Sequence, residues 1–169
     1  MAGGWGISHY FQTHKETQIY KVFSRAIVVK QVDEQAINST DIIEFTNKER
    51  VAAGLLPLAV NTLLDASAGL KVDDMIDLQY FEHQSPTGEG VSDLGSEVGY
   101  SYVIMGENLA MGTFTSSADI VSAWMDSPGH KANILNKKYQ EIGVSVKRGV
   151  YEDKEVWFAV QHFGTSRKV

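Results

Sequence analysis

The chain has 169 residues, 43% of them hydrophobic, which is enough for one domain with a real core and is not the composition of a disordered chain. Its net charge is −6 with Lys and Arg scattered, which argues against nucleic acid as a main partner and leaves no polybasic segment for anionic lipid. There is no cysteine, so disulfides, thiol nucleophiles and thiolate metal sites are excluded.

Residues 1–36 carry Trp5, Tyr10, Phe11, Tyr20 and Phe23, too many large aromatics for a flexible tail. Gln18 to Val32 is rich enough in β-branched residues for a short strand or an extended arm. The segment is expected to be an arm that packs on the domain or joins it to an upstream region. It shows no secretory signal, because the longest apolar run is Ala26-Ile27-Val28-Val29 and a signal needs about 7–15 apolar residues after a basic start. A membrane span needs about 20 apolar residues, and none is present.

A first helix is predicted to start at Asn38-Ser39-Thr40-Asp41, all good cap residues. Ile42, Ile43, Phe45 and Ala52 form its apolar stripe, Gly54 its C-cap, and Pro57 blocks continuation. Asn47 and Arg50 share one face, and are expected to tie this helix to neighbouring loops rather than to touch a ligand. A second helix is predicted over Asn61 to Tyr80, with Leu64, Ala68, Val72, Met75 and Gln79 in line and Leu63 and Ile76 beside them. Lys71, Asp73, Asp74 and Asp77 are expected on its solvated face. This helix delivers Phe81 and His83 at its end, before Ser85-Pro86.

Thr87 to Met105 reads as a loop with one short helical turn around Ser92 to Val98, and as a candidate wall of a cleft. Ser116 or Ser117 caps a third helix through Asp126, with Ile120, Val121 and Trp124 as its apolar face. Ser127-Pro128 restarts a helix, Ser as N-cap and Pro first, placing His130 in the first turn. Free amides there favour a neutral imidazole or a bound anion. Gln140 to Lys147 alternates as a strand with Ile142, Val144 and Val146 on one side. Glu155 to Phe163 is apolar on both faces and so is predicted to be central, with Arg148 to Lys154 as the turn between them. Two adjacent strands after four helices predict a layered α+β domain.

Five separated blocks carry a resemblance. They are Asn47-x-x-Arg50 with Gly54-Leu55-x-Pro57-Leu58, His83 before Ser-Pro, Gly106-Glu107-Asn108-Leu109-Ala110, Ser127-Pro128-Gly129-His130-x-x-Asn133-Ile134-Leu135, and Val160-Gln161-His162-Phe163-Gly164. In that order they resemble the CAP superfamily: cysteine-rich secretory proteins, insect antigen 5 and plant pathogenesis-related proteins. Without cysteine, the chain is similar to the bacterial branch. The resemblance runs from about Ile37 to Gly164, giving an arm at 1–36, a CAP domain at 37–165 and a tail at 166–169. It implies a three-layer α-β-α sandwich around a mainly antiparallel sheet, with Asn47, Arg50, Asn108 and Trp124 as structural motif residues. It also implies export, hence an extracellular or cell-envelope location; whether a leader or anchor was removed from this chain stays open.

The resemblance further implies that His83, Glu107 and His130 line one cleft, with His83 and His130 able to hold zinc or another divalent cation. The sequence spacing alone does not argue for a metal, because it is not a local helical zinc motif. Two neutral imidazoles would leave open positions for water or an anion, with Glu107 orienting a ring, holding a water or acting as a base. Eukaryotic members usually add a second acid on the segment before the second histidine; that segment offers Asp126 here, which is not matched to that position. His162 is expected to be a strand-end histidine hydrogen-bonded locally, with approach to the cleft as the alternative.

Three functional readings stay open. The favoured one is a binding module for a small ligand, lipid or peptide. The second is a metal-assisted or serine-type hydrolase of peptide or cell-wall material, weakened because Ser85 and Ser127 each precede a proline and read as turn or cap residues. The third is an adhesive domain with a vestigial cleft. Oligomeric state is open.

Overall fold

A computed structural model describes residues 37–167, so the arm expected at 1–36 lies outside the described residues. Helix α1 (Ser39–Ala52) begins where the cap residues cluster: the Asn38 side chain accepts from the Asp41 amide at 2.9 Å. Gly54 follows its end at φ +76°, a left-handed conformation that costs glycine no Cβ clash. A two-residue strand, β1 (Ala59–Val60), leads to α2 (Thr62–Asp77), whose Asn61 cap accepts from Leu63 and Leu64. Then come α3 (Val91–Glu97), β2 (Tyr102–Gly112), α4 (Ser117–Asp126) and α5 (Pro128–Ile134). Strands β3 (Glu141–Tyr151) and β4 (Lys154–Ser166) close the described chain.

The sheet order is β1-β3-β4-β2, parallel only between β1 and β3. Alternation along the central strand β4 separates two cores. Phe158 and Val160 point to one face and pack with Ala68, Val72 and Met75 of α2. Ala159 and Phe163 point to the other and pack with Ile42 of α1, Ile120 and Trp124 of α4 and Ile134 of α5. The result is an α+β three-layer sandwich, as expected. Burying side chains of this size contributes about 1.5–3 kcal/mol each, so both faces are strongly held in register.

Strand β2 lies at the sheet's edge, and its outward carbonyls are covered by side chains. Tyr139 Oη donates to Met105 at 3.3 Å, Asn133 Nδ2 to Glu107 at 3.0 Å and Trp124 Nε1 to Leu109 at 3.0 Å. This protects an otherwise open edge and ties α4 and α5 to the strand that carries Glu107.

Several sequence expectations need correction. Ala52 is exposed rather than part of the core stripe of α1. Helix α2 stops at Asp77, Leu63 is 40% exposed, and Gln79 sits beyond the helix at φ +53°. Lys71 is not solvated but 1% exposed, because its amine reaches polar partners under the following loop. The predicted loop at 87–105 ends earlier, since β2 begins at Tyr102. The turn predicted at 148–154 shrinks to Glu152-Asp153, both with positive φ, in a two-residue hairpin whose twist matches its strands.

Candidate functional site

Neighbouring residues of β2 face opposite sides of the sheet. Glu107 points to the α2 side and Asn108 to the other. Asn108 Nδ2 donates to Gln161 Oε1 and to the His130 carbonyl, both at 3.1 Å, while Asn133 Nδ2 donates to Asn108 Oδ1 at 2.9 Å. Gln161 Nε2 passes the chain on to Thr46 Oγ1 of α1 at 2.7 Å. This amide ladder fixes α5, and with it His130, against the edge of β2.

On the α2 side Glu107 is the centre of a row of polar groups. Its side chain is only 3% exposed. Oε1 lies 2.7 Å from His83 Nδ1 and Oε2 lies 3.0 Å from His162 Nε2. His162 is fully buried, and its Nδ1 lies 2.8 Å from Ser67 Oγ of α2. It is therefore not a locally bonded strand-end histidine: its partners lie 55 and 95 positions away in sequence. Directly across from it on β3 is Gly143, where a Cβ would come within 2.1 Å of the Asp65 amide nitrogen. Glycine there lets α2 approach closely enough for Ser67 to reach the ring.

Lys71, one turn beyond Ser67, donates from Nζ to the Tyr80 hydroxyl and to the His83 carbonyl, both at 3.0 Å. The Tyr80 hydroxyl in turn donates to Asp74. Lys71 thus holds the backbone on which His83 stands. Among the described residues no buried polar side-chain atom is left without a partner.

The charges follow from this packing. Burial pushes the Glu107 carboxyl upward, but the hydrogen bonds from His162 and His83, with the nearby Lys71 charge, outweigh it and hold Glu107 below its ordinary value. The hydrogen bond to Glu107 raises His83 above the ordinary histidine value. Burial and the nearby His83 charge lower His130. Burial also lowers Lys71, against the raising effect of Glu107, Asp74 and Glu82.

His83, Gln84, Ser92, Asp93, Glu107 and Asn133 line a pocket of about 480 Å³. The His83 side chain is 64% exposed, and its Nε2 has no hydrogen-bond partner among the described residues. His130 is half-buried on α5, one turn before Asn133, and is not among the residues lining this pocket; its carbonyl belongs to the Asn108 ladder on the other side of the sheet, and its tie to the Glu107 row is the nearby charge of His83. Asp126 is exposed, whereas Asp93 of α3 puts a second carboxylate on the pocket wall. A larger concavity of about 830 Å³ runs along α1 past Ile43, Asn47 and Val51, away from the histidines. We place the candidate site at the smaller pocket because the chemistry is there.

Asn47 and Arg50 are structural. The Asn47 amide brackets Leu58, donating to its carbonyl at 3.1 Å and accepting from its N–H at 2.7 Å. Arg50, 3% exposed, donates to the carbonyls of Leu56, Ile134, Asn136 and Tyr139. Trp124, 1% exposed, is core. Ser67, His162 and Glu107 stand in the order of a nucleophile, base and acid, but Ser67 and His162 are fully buried and no substrate reaches the hydroxyl. Sequence reasoning missed Ser67, Lys71 and Asp93. Only the placement of Ser67 and Lys71 four apart on one helix could have paired the first two.

Residues 43–163 match the model of the Cysteine-rich secretory protein family, CAP. The chain is 43% identical to the uncharacterised protein YkwD of Bacillus subtilis over 69% of this chain and 43% of that one. It is similar to the structure of an extracellular protein containing an SCP domain from Bacillus anthracis: TM-score 0.66, 29% identity, 76% of this chain and 40% of that one. An outer surface protein of Borrelia burgdorferi shares the fold at TM-score 0.65 and 22% identity, over 76% of this chain and 92% of that one. The chain spans less than half the length of the curated relatives it matches. Among the described residues no helix is long and apolar enough to cross a membrane.

Proposed function

The chain belongs to the cysteine-rich secretory protein (CAP) family, and on that premise we propose that it is a binding module of the cell exterior or envelope whose cleft at His83, Glu107 and His130 takes a small ligand or peptide. The observation that carries this reading is the His83–Glu107 pair: a buried carboxylate at 2.7 Å from an exposed imidazole whose Nε2 is left for a guest. Gln84, Ser92 and Asp93 add donors and acceptors on the same wall. A polar wall of this kind suits a peptide or other polar ligand better than a lipid tail. The external location is supported by the extracellular B. anthracis relative.

Hydrolysis is disfavoured by the serines themselves. Ser85 Oγ is engaged with Thr87 Oγ1 at 2.7 Å and accepts from the Glu89 amide at 3.1 Å, a turn-forming role. Ser67 is sealed in the fold. A divalent cation is an optional guest. Among the described residues no three His, Asp or Glu side chains are grouped to hold a metal ion. The candidate donors are the two imidazoles of His83 and His130, whose nearness is supported by the charge of His83 lowering His130, and two ligands would hold only a weak ion completed by water or by the ligand. Such an ion would supply positive charge for a ligand's carboxylate or phosphate.

Isothermal titration with zinc, on wild type, His83→Ala and His130→Ala, tests the cleft. Weak saturable binding is expected, lost in either variant, and fading as pH falls, beginning above the ordinary histidine value of about 6.5 because His83 is raised and a protonated ring has no lone pair to give. Binding unchanged in both variants would remove the ion from this cleft. Casein cleavage that disappears in Ser85→Ala or Ser127→Ala would replace the binding reading with the hydrolase.

A further inference from the structure

We propose that His162 is a positioning residue of the cleft: by holding one oxygen of Glu107 from inside the fold, it fixes His83 as the Nδ1–H tautomer and leaves the Nε2 lone pair of His83 open to the pocket. The inference deepens the cleft reading and rests on the His83–Glu107 pair being its wall. It requires no ligand to be bound.

The geometry is specific. Glu107 and His162 are cross-strand partners in the β2–β4 ladder, so the backbone register itself sets the side chains beside each other. His162 is 0% exposed and both ring nitrogens are engaged, Nδ1 with Ser67 Oγ at 2.8 Å and Nε2 with Glu107 Oε2 at 3.0 Å. The ring has no freedom to turn. An ionised carboxylate only accepts hydrogen bonds, so each histidine must bring it an N–H: Nε2–H from His162 and Nδ1–H from His83. The Ser67 hydroxyl stands between the Leu64 carbonyl at 3.0 Å and His162 Nδ1 at 2.8 Å, and whichever of the two takes its one proton, His162 still turns Nε2–H to Glu107. A carboxylate tied at one oxygen presents the other in a fixed direction, as partners of ligating histidines do elsewhere. Untied, Glu107 would be free to rotate, and His83, 64% exposed, would revert to the Nε2–H form that imidazole prefers in water.

The test is nitrogen-15 NMR of the imidazole rings at about pH 9, above the ordinary histidine range, on wild type, H162Q and H162L. Wild type is expected to show His83 protonated at Nδ1 and His162 at Nε2. H162Q keeps an N–H donor for Glu107 and should preserve the His83 tautomer. H162L lacks the donor and should shift His83 from mostly Nδ1–H to mostly Nε2–H. A folded H162L that keeps His83 as Nδ1–H would reduce His162 to a packing residue and overturn the proposal. If H162L does not fold, the other two samples decide: a wild-type His162 bare at Nε2, or a His83 Nε2–H tautomer in either, overturns it. Failure of zinc to bind leaves these spectra unaffected, so the two readings fail separately.

Discussion

Glu107 on β2 and His162 on β4 face each other across the antiparallel ladder, and their side chains meet at 3.0 Å beneath α2. His83 closes on the other oxygen of the same carboxylate from the loop after α2. One buried anion therefore joins the sheet to the pocket wall.

That arrangement makes stability depend on pH. The depressed Glu107 contributes stability present above its unfolded value of about 4.3 and lost as pH falls through its lower folded value. The raised His83 contributes stability present below about 6.5 and lost as pH rises through its higher folded value. His130, lowered, acts in the opposite sense, because the unfolded chain takes its proton first as pH falls. It is common to wild type and variant. The stability difference between wild type and Glu107→Gln should therefore be largest between about pH 4.5 and 6.5 and smaller at pH 8, as urea melts would show. A difference that grows steadily toward pH 8 contradicts this.

Trp124→Ala should cost about 3–5 kcal/mol, the usual loss for a large buried aromatic, because it also strips the donor from the Leu109 carbonyl. His83→Ala should cost much less, since that side chain is 64% exposed. Equal urea midpoints would show that the core side of α4 has been misassigned.

Two glycines separate close packing from open space. Gly143→Ala places a Cβ against the α2 backbone and should destabilise by about 1–3 kcal/mol or more. Gly69→Ala, within α2, meets nothing within 4 Å and should stabilise by about 0.5–1 kcal/mol through helix propensity. Thermal melts of the pair should move in opposite directions; movement in the same direction would refute the packing of α2 on β3.

Much of this was legible in the sequence. Asn38, Ser116 and the Ser127-Pro128 pair marked three helix starts, and the two apolar faces of Glu155 to Phe163 marked the central strand. Strand β2 was not legible because Glu107 and Asn108 interrupt its apolar pattern. They are buried only because His162, His83, Gln161 and Asn133 satisfy them from distant positions. Lys71 misled for the same reason: a lysine beside three aspartates reads as solvated until Tyr80 and the His83 carbonyl are brought over it. His83 and Glu107 were paired through family motifs, and no local pattern could have joined them.

Lys71→Met keeps the length of the side chain but removes its donors. The His83 carbonyl and the Tyr80 hydroxyl then lose a partner. Amide hydrogen exchange should quicken across residues 81–85 and stay unchanged in α4. Protection unaltered in that loop would mean that Lys71 does not hold it.

The cleft rests on Glu107 being an anion inside the fold. Carbon-13 NMR of its side-chain carboxyl across a pH series measures this directly. The titration midpoint should lie below the ordinary glutamate value of about 4.3, with the carboxyl ionised throughout the neutral range. A midpoint above that value would mean that burial prevails over the two histidines, and a midpoint within or above the neutral range would make Glu107 a donor and overturn the tautomers and charges assigned to His83 and His162.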